Sequence, residues 1–478
     1  MQVLNSSSFV MHFSIKQVNK AYLAFFLILL LASFLRFYRL SEMANFDFDQ
    51  EYASNFAYSV LREFPIQLIG QGLSIQGLFM GPIYFYYLVP FFAISNLHPI
   101  GGFIGSAILG LFIITTYFFV ARDLFGTPAA LIASFLRTIL YTGLNSDWYM
   151  TPAYSSELLV LITWWCFYKY WKGQTKILPI LGLVFGLYTS IHPILFPFYL
   201  VFLALFLIKR FIPRVKVFFL TIIAFLIPIS PLLIFEYLRK FFELKILISL
   251  FSDKSPSEPV SLERLIYHFK LVISEPAGIL GIKFISKELL FALLFGIIVL
   301  LTIKKIDFWK NHFHQTMLII TFAVFLLFYT FFPAHVPEYY FLALSTLTIL
   351  YISATLSSLN KNRVLLIFLV LILANIFVSN IQQLIRSKWN NPSLITLHHK
   401  DFIVKEIVNR QPDKQDFYVS YIRQLGWNFG FDYLFKYYGR QPQTIEAKPP
   451  IYTIVIPKSL SPGSIDISSG NIGLILPD

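Results

Sequence analysis

The sequence predicts an all-α polytopic membrane protein. It has about 11–13 spans, judged by the length a bilayer requires, a large first outer loop and a small C-terminal α/β soluble domain. Three observations carry this. Of 478 residues, 57% are hydrophobic and only 13% charged, whereas soluble domains run nearer a quarter charged. Apolar runs of spanning length recur as far as residue 381, with basic clusters between them. Beyond residue 381 that pattern stops.

The first run, Ala21–Leu40, follows Lys16 and Lys20 and ends at Arg36, Arg39 and Glu42 rather than at a small-residue cleavage site. It reads as an uncleaved span with a cytoplasmic N-terminus. Further apolar segments are Gly81–Leu97, Gly101–Val120, Pro128–Tyr141, Ala153–Tyr170, Ile177–Ser190, Pro193–Ile208, Val217–Phe235, Leu289–Ile303, Thr316–Phe332, Phe341–Leu359 and Val364–Ile381. Basic loops at Lys169–Lys176, Lys209–Lys216, Lys304–His314 and Asn360–Arg363 are expected on the cytoplasmic side. The C-terminus then falls on the opposite face, which demands an odd number of crossings. The least regular segments are Gly81–Leu97, opened by Gly-Pro, and Pro128–Tyr141, interrupted by Arg137. One of them is expected to be re-entrant or interfacial, unless a span is hidden.

Two regions lie outside the membrane pattern. The outer loop 41–80 contains Tyr52–Glu63, whose helical spacing of Tyr52, Phe56 and Val60 predicts a juxtamembrane helix. A second large outer loop covers 236–287. The transmembrane module is expected over 1–381 and the soluble domain over 382–478. The latter carries helix-like pieces at Asp401–Asn409 and Phe431–Tyr438. Strand-like pieces stand at Phe417–Ile422, Ile451–Ile456 and Ile472–Leu476.

The net charge of +13 is accounted for by loop lysines and arginines, so no nucleic-acid partner is expected. The single Cys166 leaves no internal disulfide to form. No phosphate-binding loop, dinucleotide fingerprint, zinc-spaced Cys/His set or Ser/His/Asp signature stands in the chain.

The informative stretch is Asn45-Phe46-Asp47-Phe48-Asp49-Gln50-Glu51-Tyr52. Three carboxylates at a membrane boundary are costly without a purpose. They could act as a base, a proton relay or a metal site. An extended Phe46–Glu51 would point all three the same way.

With Leu68-Ile69-Gly70 and Ser74-Ile75-Gln76-Gly77-Leu78-Phe79-Met80-Gly81-Pro82-Ile83-Tyr84-Phe85-Tyr86-Tyr87-Leu88, this stretch resembles the first outer loop of GT-C glycosyltransferases. The closer resemblance is to protein O-mannosyltransferases and the aminoarabinose transferases of lipid A. It is sharpest over Phe46–Leu88. The resemblance implies a multi-pass plasma-membrane enzyme that takes a sugar from a polyprenyl-phosphate donor. The acceptor is a hydroxyl of a lipid, glycan or protein on the outer face, and the anomeric carbon inverts. Asp49 matches the family's catalytic acid, and Asp47 is the second candidate, orienting the acceptor or sharing a divalent metal with Asp49. Metal dependence stays open. Glu51 ranks last.

The leaving phosphate needs positive charge, for which Arg62, His192, Arg264 and His335 are the candidates. Tyr84, Glu157 and Glu338 are candidates for the acceptor cavity, with Asn145–Pro152 bordering the acceptor groove. Relatives often carry a basic residue just before the Gly-Pro step. Here Met80 stands there, so that phosphate contact must come from elsewhere. The rival readings are a transporter or flippase of lipid-linked saccharides, and a non-catalytic relative that only binds the carrier.

Overall fold

Long apolar runs leave the backbone no partner in lipid but itself, and helix is the outcome. A computed structural model describes residues 15–64, 66–250, 261–278, 312–332, 336–358, 363–411, 416–443 and 450–477. The membrane part comprises α1 (Ile15–Phe37), α2 (Leu40–Met43), α3 (Phe48–Tyr58), α4 (Ile83–Ile94), α5 (Ile100–Phe125), α6 (Thr127–Ile139), α7 (Tyr141–Asp147), α8 (Ser156–Trp171) and α9 (Leu178–Ile191). It continues with α10 (Pro197–Lys209), α11 (Val215–Leu238), α12 (Phe242–Leu250), α13 (Leu262–Gly278), α14 (His312–Phe331), α15 (Leu342–Ser357) and α16 (Arg363–Leu384).

Among the described residues six helices are long and apolar enough to cross a membrane: Lys20–Phe37, Ile100–Phe125, Val215–Leu238, His312–Phe331, Tyr339–Ser357 and Val364–Trp389. The chain is a polytopic membrane protein. Both irregular segments are irregular in the structure. Gly81–Leu97 shortens to the 12 residues of α4, with Pro90 inside it. Pro128–Tyr141 becomes α6 and α7, bent by 65° at Leu140, whose backbone is extended. The break frees the Tyr141 N–H, and Asn380 Oδ1 of α16 accepts it at 2.9 Å. The expected span Leu289–Ile303 lies outside the described residues.

Helices α9 and α11 approach closely because Gly182 and Gly186 stand four apart on one face. A methyl group on either would intrude on the Thr221 or Phe225 carbonyl of α11.

Charges inside the bundle are expensive unless paired, and they are paired. Arg36 Nε meets Asp147 Oδ2 at 2.7 Å. Arg137 gives Nη2 to Asp147 Oδ1 at 2.8 Å and Nε to Glu157 Oε2 at 2.5 Å. All four side chains are at most 8% exposed. Two cations and two anions thus close a neutral knot joining α1, α6, α7 and α8. The Arg36 carbonyl also accepts Trp148 Nε1–H at 2.9 Å, which fixes the loop after α7.

The C-terminal region pairs four strands with two helices. The strands are β1 (Tyr418–Arg423), β2 (Ile451–Ile456), β3 (Ile467–Ser469) and β4 (Ile472–Ile475); the helices are α17 (Leu397–Arg410) and α18 (Phe431–Tyr437). Sheet order is β1-β2-β4-β3. β1 and β2 run parallel around α18, and β4 is antiparallel to both β2 and β3. Leu397, Ile403, Ile407, Ile454 and Leu474 are wholly buried in its core. The Leu397 N–H donates to the Ala44 carbonyl at 2.9 Å, joining this region to the first loop.

Two outcomes test this packing. Asp147→Ala leaves Arg36 and Arg137 short of an anion, and breaking such buried pairs costs about 3–5 kcal/mol. The purified variant should unfold at a clearly lower temperature than Asp123→Ala at the bundle edge. Gly186→Val should likewise lower the melting temperature, because a β-branched side chain cannot enter the α9–α11 contact; Gly463→Val, with open space around it and no left-handed backbone, controls for loss of glycine itself.

Candidate active site

Helix α3 starts at Phe48 because Asp47 favours the position that caps it. The Asp47 N–H donates to Gln50 Oε1 at 2.9 Å, and the Asp47 carbonyl accepts the Glu51 N–H at 2.9 Å. This corrects the expectation of an extended Phe46–Glu51 with all acids on one face. Residues two apart on a helix do not face each other while residues four apart do, so Asp49 diverges from Asp47 and Glu51.

Each meets a different partner. Asp47 Oδ1 pairs with Lys400 Nζ of α17 at 2.9 Å. Glu51 Oε1 accepts the Tyr433 N–H of α18 at 2.9 Å. Burial raises the Glu51 carboxyl above its ordinary range, and the Gly430 and Tyr433 N–H groups oppose that rise. Asp49 Oδ1 accepts Gln71 Nε2–H at 2.6 Å. Among the described residues Asp49 has no cationic partner, and its side chain is only partly buried. Nor do any three His, Cys, Asp or Glu residues among those described gather as metal ligands. Asp47 and Asp49 diverge, and Lys400 occupies the first of them.

Gln71 is held by its own backbone. Gly70 N–H donates to the Met80 carbonyl at 2.6 Å, and Met80 N–H to the Gln71 carbonyl at 2.9 Å. The Met80 side chain is buried and offers no charge at this position. Gly81 N–H then reaches the Thr189 carbonyl of α9 at 2.9 Å.

Phenols gather opposite Asp49. Gln50 Nε2 donates to the Tyr149 carbonyl, and the Tyr149 and Tyr154 rings meet edge-on at 5.6 Å. Burial pushes the Tyr149 hydroxyl up to about 12, with Asp47 first among the charges that add to it. Burial and then the charge of Asp49 raise Tyr154. The field of Asp49 also reaches Tyr84 and Tyr339.

His192 lies beside this group, its ring against Tyr339 and Tyr340 at 5.7 and 5.5 Å. Its Nδ1 accepts the Ile194 N–H at 3.3 Å. Burial lowers its pKa to about 4, so it serves as a neutral donor through Nε2. Arg264 of α13 is buried and donates to the Phe332 carbonyl; α13 packs on α14, α15 and the turn Glu338–Phe341. Arg62 does not join. It is exposed on the π-helical turn Ser59–Glu63, thirteen residues past Asp49, about 20 Å along a helix. Glu157 does not border an open groove, since Arg137 takes up its carboxylate inside the bundle. Asp147, in the segment expected to border the acceptor groove, is buried in the same knot. Tyr84 is buried at the start of α4. His335 and the side chain of Glu338 lie outside what is described.

This arrangement of a membrane bundle, an acid loop and an α/β region has known counterparts. Over 95% of this chain and 98% of theirs, the structure superposes on ArnT from Cupriavidus metallidurans bound to undecaprenyl phosphate, with TM-score 0.58 and 10% identity. The chain has the fold of this structure, the GT-C type expected from the sequence. A second GT-C structure, the archaeal oligosaccharyltransferase AglB from Archaeoglobus fulgidus with an inhibitory peptide and a dolichol-phosphate, matches with TM-score 0.51 and 14% identity over 90% of this chain and 65% of that one. Residues 80–235 match the family model of dolichyl-phosphate-mannose-protein mannosyltransferases. A search of curated proteins finds no match.

Within this fold, reasoning from sequence missed Gln71, Lys388, Lys400 and Tyr154; Tyr149 lies in the stretch Asn145–Pro152 expected at the acceptor groove. The only local signal was Gln71 between Gly70 and Gly72, and Lys388 at the end of an apolar helix.

Glu243 of α12 supplies a pH test. Its Oε2 accepts the Phe79 N–H at 3.4 Å, and Glu236 caps the same helix through the Glu243 and Leu244 N–H groups at 3.0 and 3.1 Å. Burial pushes the Glu243 carboxyl up to about 7; the Phe79 N–H opposes this and Glu236 adds to it. The docked helix therefore holds a proton that the undocked one releases at lower pH. Docking is strongest in the ordinary glutamate range and weakens as pH rises toward 7. Hydrogen exchange over 77–80 and 242–250, corrected for intrinsic rate, should be faster at pH 8 than at pH 5. Glu243→Gln should flatten the difference.

Proposed function

We propose that this protein is a glycosyltransferase. It moves a sugar from a polyprenyl-phosphate donor to an acceptor hydroxyl at the membrane surface where the acid loop lies, with Asp49 as general base. The observation that carries this is the division of labour among three neighbouring acids. Asp47 is neutralised by Lys400 and Glu51 is buried against a helix N-terminus. Among the described residues, Asp49 alone of the three meets neither a cation nor a helix N-terminus, and it is held by a single neutral side-chain donor.

In the reaction an acceptor oxygen attacks the anomeric carbon while Asp49 takes its proton. The bond from that carbon to the phosphate oxygen breaks, and its electron pair leaves with the polyprenyl phosphate. One displacement from one side inverts the anomeric centre. The Gln71 amide holds Asp49 Oδ1 and leaves Oδ2 for the acceptor. His192, its ring against Tyr339 and Tyr340, and Arg264, on a helix packed against the turn Glu338–Phe341, are the groups we assign to meet the leaving phosphate. A lipid-linked donor fits an enzyme embedded in lipid. It also fits an acid loop on the outer face of the plasma membrane, away from nucleotide sugars, the side that the basic loops assign by charge. The ArnT and AglB structures with lipid phosphates support this reading.

The transporter reading would need ionisable groups lining a path through the bundle. The buried Arg36, Arg137, Asp147 and Glu157 are instead closed on one another.

The test is reconstitution in liposomes with labelled polyprenyl-phosphate sugars and a panel of lipid, glycan and peptide acceptors. Asp49→Asn should reduce transfer by about 10²–10⁴-fold, the usual worth of a general base, with little change in donor KM. Full transfer by Asp49→Asn, or carrier movement across the bilayer without transfer, would refute the proposal.

A further inference from the structure

Lys400 stands on α17, more than 350 residues beyond the acid loop, and its side chain is wholly buried. Its ammonium has three hydrogens, and all three are used. It donates to the Phe46 carbonyl at 2.6 Å, to Asp47 Oδ1 at 2.9 Å and to the Phe429 carbonyl at 2.7 Å. Two of those acceptors belong to the acid loop and one to the C-terminal region. A buried ammonium is tolerated only when paired and fully hydrogen-bonded, and Asp47 is its counter-ion.

Independent contacts converge on the same seam. Lys388, just past α16, donates from Nζ to the Met43 carbonyl at 3.3 Å and to Asn45 Oδ1 at 3.4 Å. Gly430, at φ 90°, lies so close to Phe46 that a Cβ would come within 2.6 Å of its carbonyl oxygen. Glu51 reaches across to Tyr433. Asp49 sits between Asp47 and Glu51, so its direction follows from how those two residues are held.

We propose that Lys400 is a positioning residue of the active site, binding the Phe46–Asp47 end of α3 to the C-terminal region so that Asp49 is aimed into the phenol-lined space. Asp47 acts as the anchor of that bond and does not share the base's work. The proposal rests on the reading of Asp49 as base only for its effect on transfer; the geometry of the bond stands apart from it.

The experiment is a double-mutant cycle on the full-length protein in lipid nanodiscs, using Lys400→Met, Asp47→Asn and the pair together. Hydrogen exchange over residues 44–51 is read beside the transfer rate. Hydrogen bonds from a charged group are worth enough to change an opening equilibrium by about tenfold or more. Lys400→Met should therefore speed exchange of 44–51 about tenfold, and transfer should fall through kcat with donor KM nearly unchanged. In the Lys400→Met background Asp47→Asn should add little, because the two share one interaction. Lys400→Arg keeps the charge but not the three-way geometry, and should fall between. If Lys400→Met does not fold, Lys400→Arg replaces it in the cycle.

Additive effects of the two substitutions, or unchanged exchange in the Lys400 variant, would overturn the proposal. Asp49→Asn separates the two readings. It should leave exchange of 44–51 near wild type while transfer is lost. If transfer survives Asp49→Asn, the base assignment fails and the exchange cycle still judges Lys400.

Discussion

The architecture depends on a requirement of electrical neutrality inside lipid. Arg137 enters the bundle with no water to solvate it, and it is tolerated because Asp147 and Glu157 meet it there, with Arg36 completing the balance. Meeting that requirement brings four helices to one point. It also decides the shape of the site, since Asp147 is followed at once by Trp148, tied to the Arg36 carbonyl, and by Tyr149, tied to Gln50. The wall that faces Asp49 is thus an extension of a charge-pairing arrangement built for stability.

Helix periodicity does the next piece of selection. Three acids at alternate positions would share a face on a strand, but on α3 they separate. Asp47 and Glu51, four apart, both reach the C-terminal region, at Lys400 and at the start of α18, and Asp49 turns to Gln71 instead. Chemical inequality among identical or near-identical side chains follows from where each points, with no need for unusual residues.

Much of this was legible in the sequence. The membrane class followed from composition, and the break in Pro128–Tyr141 was marked by the arginine inside it. Within the C-terminal region, Ile451–Ile456 is a strand over the same residues the alternating pattern marked, and Tyr418–Arg423 and Ile472–Ile475 differ by single residues from theirs. The three-residue β3 was missed because so short a piece carries no period. The acid loop was marked by its carboxylates, though not the partner that each one meets. What could not be read was pairing across distance. Lys400 and Glu157 look like ordinary polar residues of a soluble helix and a loop edge. Only folding reveals that one meets Asp47 and the other Arg137, because no local pattern encodes a partner hundreds of residues, or one helix, away.

The seam between Phe46 and Gly430 has a consequence for how the molecule comes into being. The acid loop is synthesised more than 350 residues before the groups that fix it, Lys400, Gly430 and Tyr433. While the ribosome is still threading the intervening helices into the bilayer, the carboxylates have no lysine and no helix end to meet. The site therefore matures only when the segment around Lys400–Tyr433 folds back upon the acid loop. A nascent or truncated chain, even one fully inserted, carries an acid loop whose anchors are missing.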